Sequence, residues 1–352
     1  MKVAIHQNKE IFSHSTSWVP AWIDYCEKNK IDYEVIDCYK NDIKSILKGF
    51  DILLWCTTNY SLQEKLFSKS ILYSATQMNL KVFPNFNTIW HSDDKIAETY
   101  LLSSIDAPIP KSWIFVTKRS AEAFFEEDRQ FPLVAKLKCG SGSTNVVLIK
   151  NKSEAKVYIK KMFGNGINSS PNPFFKAKSN IASANNLSTF ISRLKRIPDF
   201  LESYRKASQF PNEKGYVYLQ EFIPNDGYDL KVVVVGDKLS FLARNVRKND
   251  FRASGGGTLI YDKSLITPEI RRISFDISKK LGFQCMGYDF VIDNRDKTPK
   301  IVEISYGFSY EAQIGLGGHW DNNDIWYEAP LNAPNEVLNN LVKNNRTKKG
   351  NN

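Results

Sequence analysis

The sequence predicts two styles of architecture in one chain: a parallel α/β domain at the N-terminus, then an α+β region built on an antiparallel sheet. Three observations carry this reading. Over residues 1–90, short apolar runs alternate with longer amphipathic segments, the pattern of a parallel sheet flanked by helices. From residue 215 the apolar runs crowd together, separated by turns rather than helices. Finally, 352 residues with 42% apolar and 13% aromatic content suffice for two or three small domains with cores of their own, and exclude a disordered chain.

The elements follow in order. KVAIH reads as a first strand and WVPAWIDYCEKNK as a helix; YEVIDCY is a second strand, NDIKSILKGF a short helix and DILLWC a third strand. LQEKLFSKSILYSATQMN is a further helix and KVFPN the last strand of this domain, assigned to residues 1–90. The short apolar runs suit strands buried on both faces. HSDDKIAETYLL is helical and exits through a Pro-marked turn. The helix SAEAFFEED, the strand FPLVAKLK, the loop CGSGSTN and the strand VVLIK follow. Glycines between two strands are the wrong setting for a phosphate loop or dinucleotide fingerprint, which both need a helix after the glycines. Residues 164–214 are rich in Asn, Ser, Pro and Lys, with eight Lys/Arg against three Asp/Glu. They read as an insertion carrying one amphipathic helix: a solvated excursion, or a lid or docking element for an anionic target. YVYLQEFI, KVVVVGD and LSFLARNV are strands, followed by a Gly-rich loop, the helix TPEIRRISFDISKKLG and the strands MGYDFVID and KIVEIS.

Composition closes several function classes. The five cysteines form no CxxC pair and the four histidines show no ligand spacing, which argues against a disulfide framework or a structural zinc site. No run of about 20 apolar residues is present to span a bilayer. The N-terminal MKVAIHQNKE lacks a signal-peptide core, so a cytoplasmic location is expected. The net charge of +10 suits an anionic partner such as a nucleotide, an acidic substrate or a glycan; no nucleic-acid module accompanies it. Residues 336–352 read as a basic, disordered tail.

Four groups of residues carry candidate chemistry. Asp289 and Glu303 lie inside apolar strands, 14 residues apart and joined by the turn NRDKTP. Adjacent strands would bring them together, and paired buried carboxylates need a cation; oxygen-only ligation suits Mg²⁺ that also holds phosphates. The competing reading is that they pair with a lysine or arginine. Lys136 sits in an apolar strand and calls for an anionic partner; Ser141 and Gly142 in the loop after it can offer backbone N–H groups to phosphates or simply form a turn. Lys138, two residues on, should share the face of Lys136. Gln220, Glu221, Phe222 and Ile223 end a strand before Pro224, with Asp229 opening the next, an arrangement able to meet a base and a ribose. Arg244, Arg247 and Arg252 converge on the glycines at 255–257, where guanidinium groups can hold phosphoryl oxygens; the bland reading is a solvated basic hairpin.

In this order, DDK at 93–95, PLVAK at 132–136, LQEFI at 219–223, DLKVVVVGDK at 229–238, FRASGGG at 251–257, YDFVID at 288–293 and IVEIS at 301–305 resemble the ATP-grasp superfamily, in the branch of glutathione synthetase and the ribosomal-protein glutamate ligases. The resemblance implies an ATP-grasp fold with a lid over 91–218 and a core over 219–335. It implies Lys95 and Lys136 as ATP-phosphate lysines, Glu221 and Ile223 as the adenine contact and Asp229 as the ribose acid. Arg244 then contacts the transferred phosphoryl group, Arg252 lies near the acceptor, and Asp289 and Glu303 are Mg²⁺ ligands. Two positions depart from the family: Ser305 and Ser254 stand where Asn is usual, and a hydroxyl binds Mg²⁺ less strongly than an amide oxygen.

The implied activity is ATP-dependent ligation of a carboxylate to an amine through an acyl phosphate, on small-molecule or glycan substrates. A non-catalytic nucleotide- or glycan-binding protein and a kinase are the rival readings. WHSDDKIAETYLL, KLKCGSGSTNV, DFRASGGG, VEISYGF and GGHWDNNDIWYE also look like ATP-grasp proteins of bacterial surface-polysaccharide clusters, which implies a sugar acid or polysaccharide precursor as substrate. Gly256, Tyr306 and His319 join Arg247 and Ser254 as acceptor-pocket candidates. The oligomeric state stays open, a dimer being one option.

Overall fold

The computed structural model describes residues 1–8, 18–59, 61–140, 145–169, 210–246 and 258–349. Elements are numbered in chain order. The N-terminal sheet runs β2 (Asp32–Ile36), β1 (Lys2–His6), β3 (Ile52–Leu54), β4 (Lys81–Phe83), all parallel. Val3 to Ile5 and Ile52 to Leu54 are wholly buried, as expected for strands covered on both faces. The covering helices are α1 (Val19–Lys28), α2 (Ile43–Leu47), α3 (Leu62–Gln77) and α4 (Phe86–Ile89). Ser61 caps α3 by accepting the Glu64 N–H, the usual role of a serine at that position.

Helix α5 (Lys95–Ser103) leads out of this domain, capped by Asp94, which accepts the Ala97 N–H at 3.0 Å. A second, antiparallel sheet follows in the order β5 (Ser112–Phe115), β10 (Val217–Glu221), β6 (Leu133–Lys136), β7 (Val146–Ile149), backed by α6 (Lys118–Phe124) and α7 (Lys152–Met162). The boundary expected at residue 218 falls inside β10. Alternation splits this sheet cleanly. Leu133, Ala135, Val217 and Leu219 turn into a core of their own with α6 and α7, while Lys136, Tyr218 and Gln220 face the other way. A short ladder of β8 (Ile167–Asn168) and β9 (Asn212–Glu213) flanks the sheet. The helix expected within 164–214 lies outside the described residues.

The third sheet is antiparallel, ordered β15 (Pro299–Ser305), β14 (Cys285–Ile292), β11 (Tyr228–Val235), β12 (Lys238–Asn245), β16 (His319–Asp321), β17 (Trp326–Tyr327), with β13 (Leu259–Ile260) also on β12. Helix α8 (Pro268–Leu281) packs on it, begun by Thr267 and Pro268 and stopped by Gly282 at φ 66°, the N-terminal Pro and C-terminal Gly of an ordinary helix. This sheet and the N-terminal one share one hydrophobic core.

The C-terminus corrects the expectation of a disordered tail. After the short helix α9 (Tyr310–Ile314), helix α10 spans Ala333–Lys349. Val337, Leu338, Leu341 and Val342 are buried, a stripe at helical spacing that the basic residues after it obscure. Trp22 of α1 donates its indole N–H to the Pro334 carbonyl at 3.0 Å, and the Tyr25 hydroxyl reaches Asn339 at 3.2 Å. Strand β5 and helices α4, α7, α9 and α10 are absent from the sequence reading, as are β8, β9, β13, β16 and β17. No helix among the described residues is long and apolar enough to cross a membrane.

Candidate active site

The hairpin β14–β15 puts Asp289 directly opposite Glu303, as the sequence predicts. On the other side of β14, Lys231 pairs with Asp289 across the ladder, and on the next strand Arg244 pairs with Asp229. Period-2 alternation sends Asp229 and Lys231 to one face of β11, the face of Asp289. The Lys231 ammonium lies 2.7 Å from Asp289 Oδ1. Arg244 grips Asp229 through two bonds of 2.7 Å and reaches Asp289 Oδ1 at 3.2 Å. Gly287, opposite Ser305, makes room for this: a Cβ there would lie 3.3 Å from Lys231 Cε and 2.9 Å from the Ser305 carbonyl oxygen.

The second half of the site comes from α5 and the β5–β7 sheet. The Lys95 ammonium donates to the Gly140 carbonyl at 2.6 Å and meets Glu303 Oε1 at 3.2 Å. Lys136, on the inner face of β6, donates to Gln220 Oε1 at 2.6 Å and to the Val302 carbonyl at 3.0 Å. One turn after Lys95, the buried Glu98 accepts the Ile304 N–H at 3.3 Å. Lys95, Glu98 and Lys136, from α5 and β6, thus meet the sheet that carries Asp229, Lys231, Arg244, Asp289 and Glu303, with Lys95 on Glu303 and Lys136 on the Val302 carbonyl.

The protonation states follow from burial and these neighbours. Burial is the largest influence on Lys136 and pulls its pKa down to about 8, with Lys95 adding to the drop and Glu303 resisting it. Burial pulls Lys95 down too, but Glu303, Glu98 and Asp93 more than offset it and its pKa is raised. Burial raises Glu98 above the carboxylate range, against the pull of Lys95. Burial would likewise raise Asp289, yet Lys231 and Arg244 overcome it and hold that carboxyl low. Asp229 is raised, burial outweighing Arg244.

A divalent cation fits Asp289 and Glu303 on one count: they are adjacent carboxylates whose charge is balanced by the ammonium groups of Lys231 and Lys95. Among the described residues no three or more carboxylate, His or Cys side chains gather to hold a metal unaided. Two carboxylates with nucleotide phosphates completing the shell is the usual Mg²⁺ arrangement. Ser305, the third ligand expected from sequence, bonds the Gly307 carbonyl at 3.0 Å.

Other expected residues fall in different places. Lys138 does not share the face of Lys136, because β6 ends at Lys136 and alternation stops with it; its ammonium pairs with Asp94 at 3.1 Å. Gln220 is buried against Lys136, and Glu221 pairs with Arg295 at 2.8 Å. Phe222 follows at the end of β10 and Ile223 is buried beyond it, its carbonyl accepting from Asn225. Tyr306 is no pocket residue: it sits in the main core with its hydroxyl on Thr57. His319 is remote as well. Strand β16 joins β12 at Lys238 and Leu239, the far end from Arg244, and the His319 ring stacks on Tyr327 and bonds the Ala329 carbonyl. Ser141, Gly142, Arg247, Arg252, Ser254 and Gly256 lie outside the described residues. Lys231 and Glu98 are the residues that sequence reasoning missed.

No protein-family model matches the chain. Over 286 residues it is 22% identical to the α-aminoadipate–LysW ligase LysX of Saccharolobus solfataricus, covering 79% of this chain and 85% of the relative. The crystal structure of a RimK-domain ATP-grasp protein from Sphaerobacter thermophilus superposes with a TM-score of 0.56 at 14% identity, over 97% of this chain and all of that one (100%). The ATP complex of D-alanine–D-alanine ligase from Bacillus anthracis gives 0.55 at 12% identity, over 100% and 99%. The chain therefore has the ATP-grasp fold of these structures.

Proposed function

We propose that the protein is an ATP-dependent carboxylate–amine ligase that works through an acyl phosphate. One observation carries the reading most: Asp289 and Glu303 are paired on adjacent strands and ringed by Lys95, Lys136, Lys231 and Arg244, cations drawn from α5, β6, β11 and β12. Such a ring suits a metal-bound triphosphate, whose charge the lysines and the arginine share.

In the proposed reaction a substrate carboxylate oxygen attacks the γ-phosphorus of ATP and the bond to the β-phosphate oxygen breaks, giving ADP and the acyl phosphate. An amine then attacks the acyl carbon and phosphate leaves, the amine losing its proton as the amide forms. Lys136 and Arg244 neutralise the transferring phosphoryl group, and Lys95 ties Glu303 to the Gly140 carbonyl at the base of the glycine loop. Bound Mg²⁺ supplies charge neutralisation at the phosphate oxygens. No side-chain nucleophile is needed. The pre-positioned cations are the main source of rate in this scheme, since they act in a desolvated cleft without reorganising.

The archaeal relative is a ligase by name, which supports the reaction class. For the substrates we propose an amino acid or other amine joined to a sugar acid of a surface polysaccharide, in the cytoplasm. The test is release of ADP and phosphate that requires both partners and Mg²⁺. ATP binding without turnover under every acceptor pair would reduce the protein to a nucleotide-binding module, and a stable phosphorylated product would make it a kinase.

A further inference from the structure

Strand β15 is the outer strand of its sheet, and it is bulged beside Glu303. Ile301 pairs with Phe290 and Glu303 with Asp289, so Val302 is an extra residue in the ladder. A bulge re-aims the side chains around it; without this one, Val302 and not Glu303 would stand opposite Asp289. The outer edge of such a strand leaves backbone groups that its own ladder does not use. Here they are taken from outside the sheet. The Pro108 carbonyl accepts the Ile301 N–H at 2.8 Å, Lys136 donates to the Val302 carbonyl at 3.0 Å, and Glu98 accepts the Ile304 N–H at 3.3 Å. Lys136 and Glu98 therefore hold the two residues that flank Glu303.

Glu98 is an odd residue for mere packing. It is 4% exposed, beside Leu102 and Ile301. Its neighbour Lys95 pairs with Glu303, and among the described residues Glu98 itself forms no ion pair. Burying a carboxyl in that setting is costly, and a leucine would fill the space without the cost. Its place in the first turn of α5 favours an acid, but an exposed acid would serve the helix equally. A cavity of about 10 Å³, space for a single water molecule, lies between α5 and the bulge, lined by Glu98, Tyr218, Val302 and Glu303. The bulge thus has room to shift unless it is held. Of its two side-chain anchors, Lys136 is the one that bound phosphates would recruit, which leaves Glu98 as the permanent one.

We propose that Glu98 is a positioning residue for the metal site: by holding the Ile304 N–H it fixes the bulge that aims Glu303 at Asp289. This rests on the reading of Asp289 and Glu303 as metal ligands in the proposed ligase.

Binding of Mn²⁺ to the full chain with a non-hydrolysable ATP analogue, followed by electron paramagnetic resonance, tests this without turnover. Glu98→Leu keeps the bulk and removes the acceptor; it should weaken Mn²⁺ at least about tenfold, the scale of losing an outer partner of a metal ligand. Glu98→Gln keeps an acceptor oxygen and should stay within about threefold of wild type. Amide exchange at Ile304 should quicken at least about tenfold in Glu98→Leu and stay slow in Glu98→Gln. Unchanged Mn²⁺ affinity in Glu98→Leu overturns the proposal. So does an equal loss in both variants, which would make the charge rather than the bond the active feature. Should Glu98→Leu not fold, the Ile304 amide decides: protection in wild type and Glu98→Gln supports the role, and exchange at the unprotected rate in wild type overturns it. Wild-type protein that binds no Mn²⁺ with the analogue ends the metal reading and this proposal with it. Binding without ADP release under every acceptor ends the ligase reading alone and leaves the role of Glu98 standing.

Discussion

Lys231 and Asp289 face each other across the β11–β14 ladder, 2.7 Å apart, with both side chains largely buried. The lysine holds Oδ1 of the carboxylate that the proposed metal site needs. On that proposal a cation at Asp289 would compete with an internal ammonium group, and removing that group should strengthen the response to metal.

Lys231→Met is expected to cost about 2 kcal/mol of stability without metal, because Asp289 keeps only its longer contact to Arg244. Mg²⁺ with a non-hydrolysable ATP analogue should recover most of that loss. Urea titrations with and without the pair of ligands measure it; equal stabilisation of variant and wild type would contradict the competition.

Asp289→Asn and Glu303→Gln should each lower ADP release at least about a hundredfold, the scale of losing one preorganised charge contact. Circular dichroism should stay native for both. Two variants with full turnover would end the assignment of these acids to the metal.

Glu213→Ala strips the acceptor from the Cys139 N–H, while the Tyr216 hydroxyl still accepts from the Lys138 N–H at 2.6 Å and Asp93 still holds Gly140. Amide exchange at 139 should quicken at least about tenfold, since one lost charge-assisted bond is worth more than about 1.4 kcal/mol. Lys138 and Gly140 should change less. Uniform exchange across 138–140 would show that Glu213 does not anchor the segment.

His91 is buried, and burial, helped by the nearby Lys69, pushes its pKa down to about 4. The unfolded chain takes up this proton near pH 6.5 and the folded one only near 4. Between those values the unfolded state binds more protons, so stability falls as pH drops from 6.5 to 4, by up to about 3 kcal/mol. His91→Phe should flatten that part of the profile; an unchanged slope in the variant would assign the acid sensitivity elsewhere.

Much of the fold is legible because its strands and helices carry clean periodicities: the four strands and three longer helices of the N-terminal domain can be read from spacing alone, while the four-residue α4 cannot. Asp289 and Glu303 are legible for a related reason, as charges at odds with the apolar strands that hold them. Lys231 is not, since a lysine leading into VVVVGD reads as an ordinary strand edge until register sets it opposite Asp289. Glu98 hides in an amphipathic helix where an acid is unremarkable. Lys138 misleads in the other direction: alternation was carried past the end of β6, where the backbone turns. Tyr306 shows that proximity to a metal strand in sequence says nothing about which way a ring points.

The β5–β7 sheet has its own apolar core, separate from the one shared by the other two sheets. Its ties to the rest of the molecule named above are polar: Lys136 on Val302, Gly140 between Asp93 and Lys95, Lys138 on Asp94, Glu221 on Arg295. The joining face also buries Val134 and Tyr218, the latter bonded to Thr99 of α5, so a swing of the sheet as one plate would uncover them as well. What it must break to do so is a seam of charges, which added electrolyte weakens at its exposed rim and leaves firmer inside.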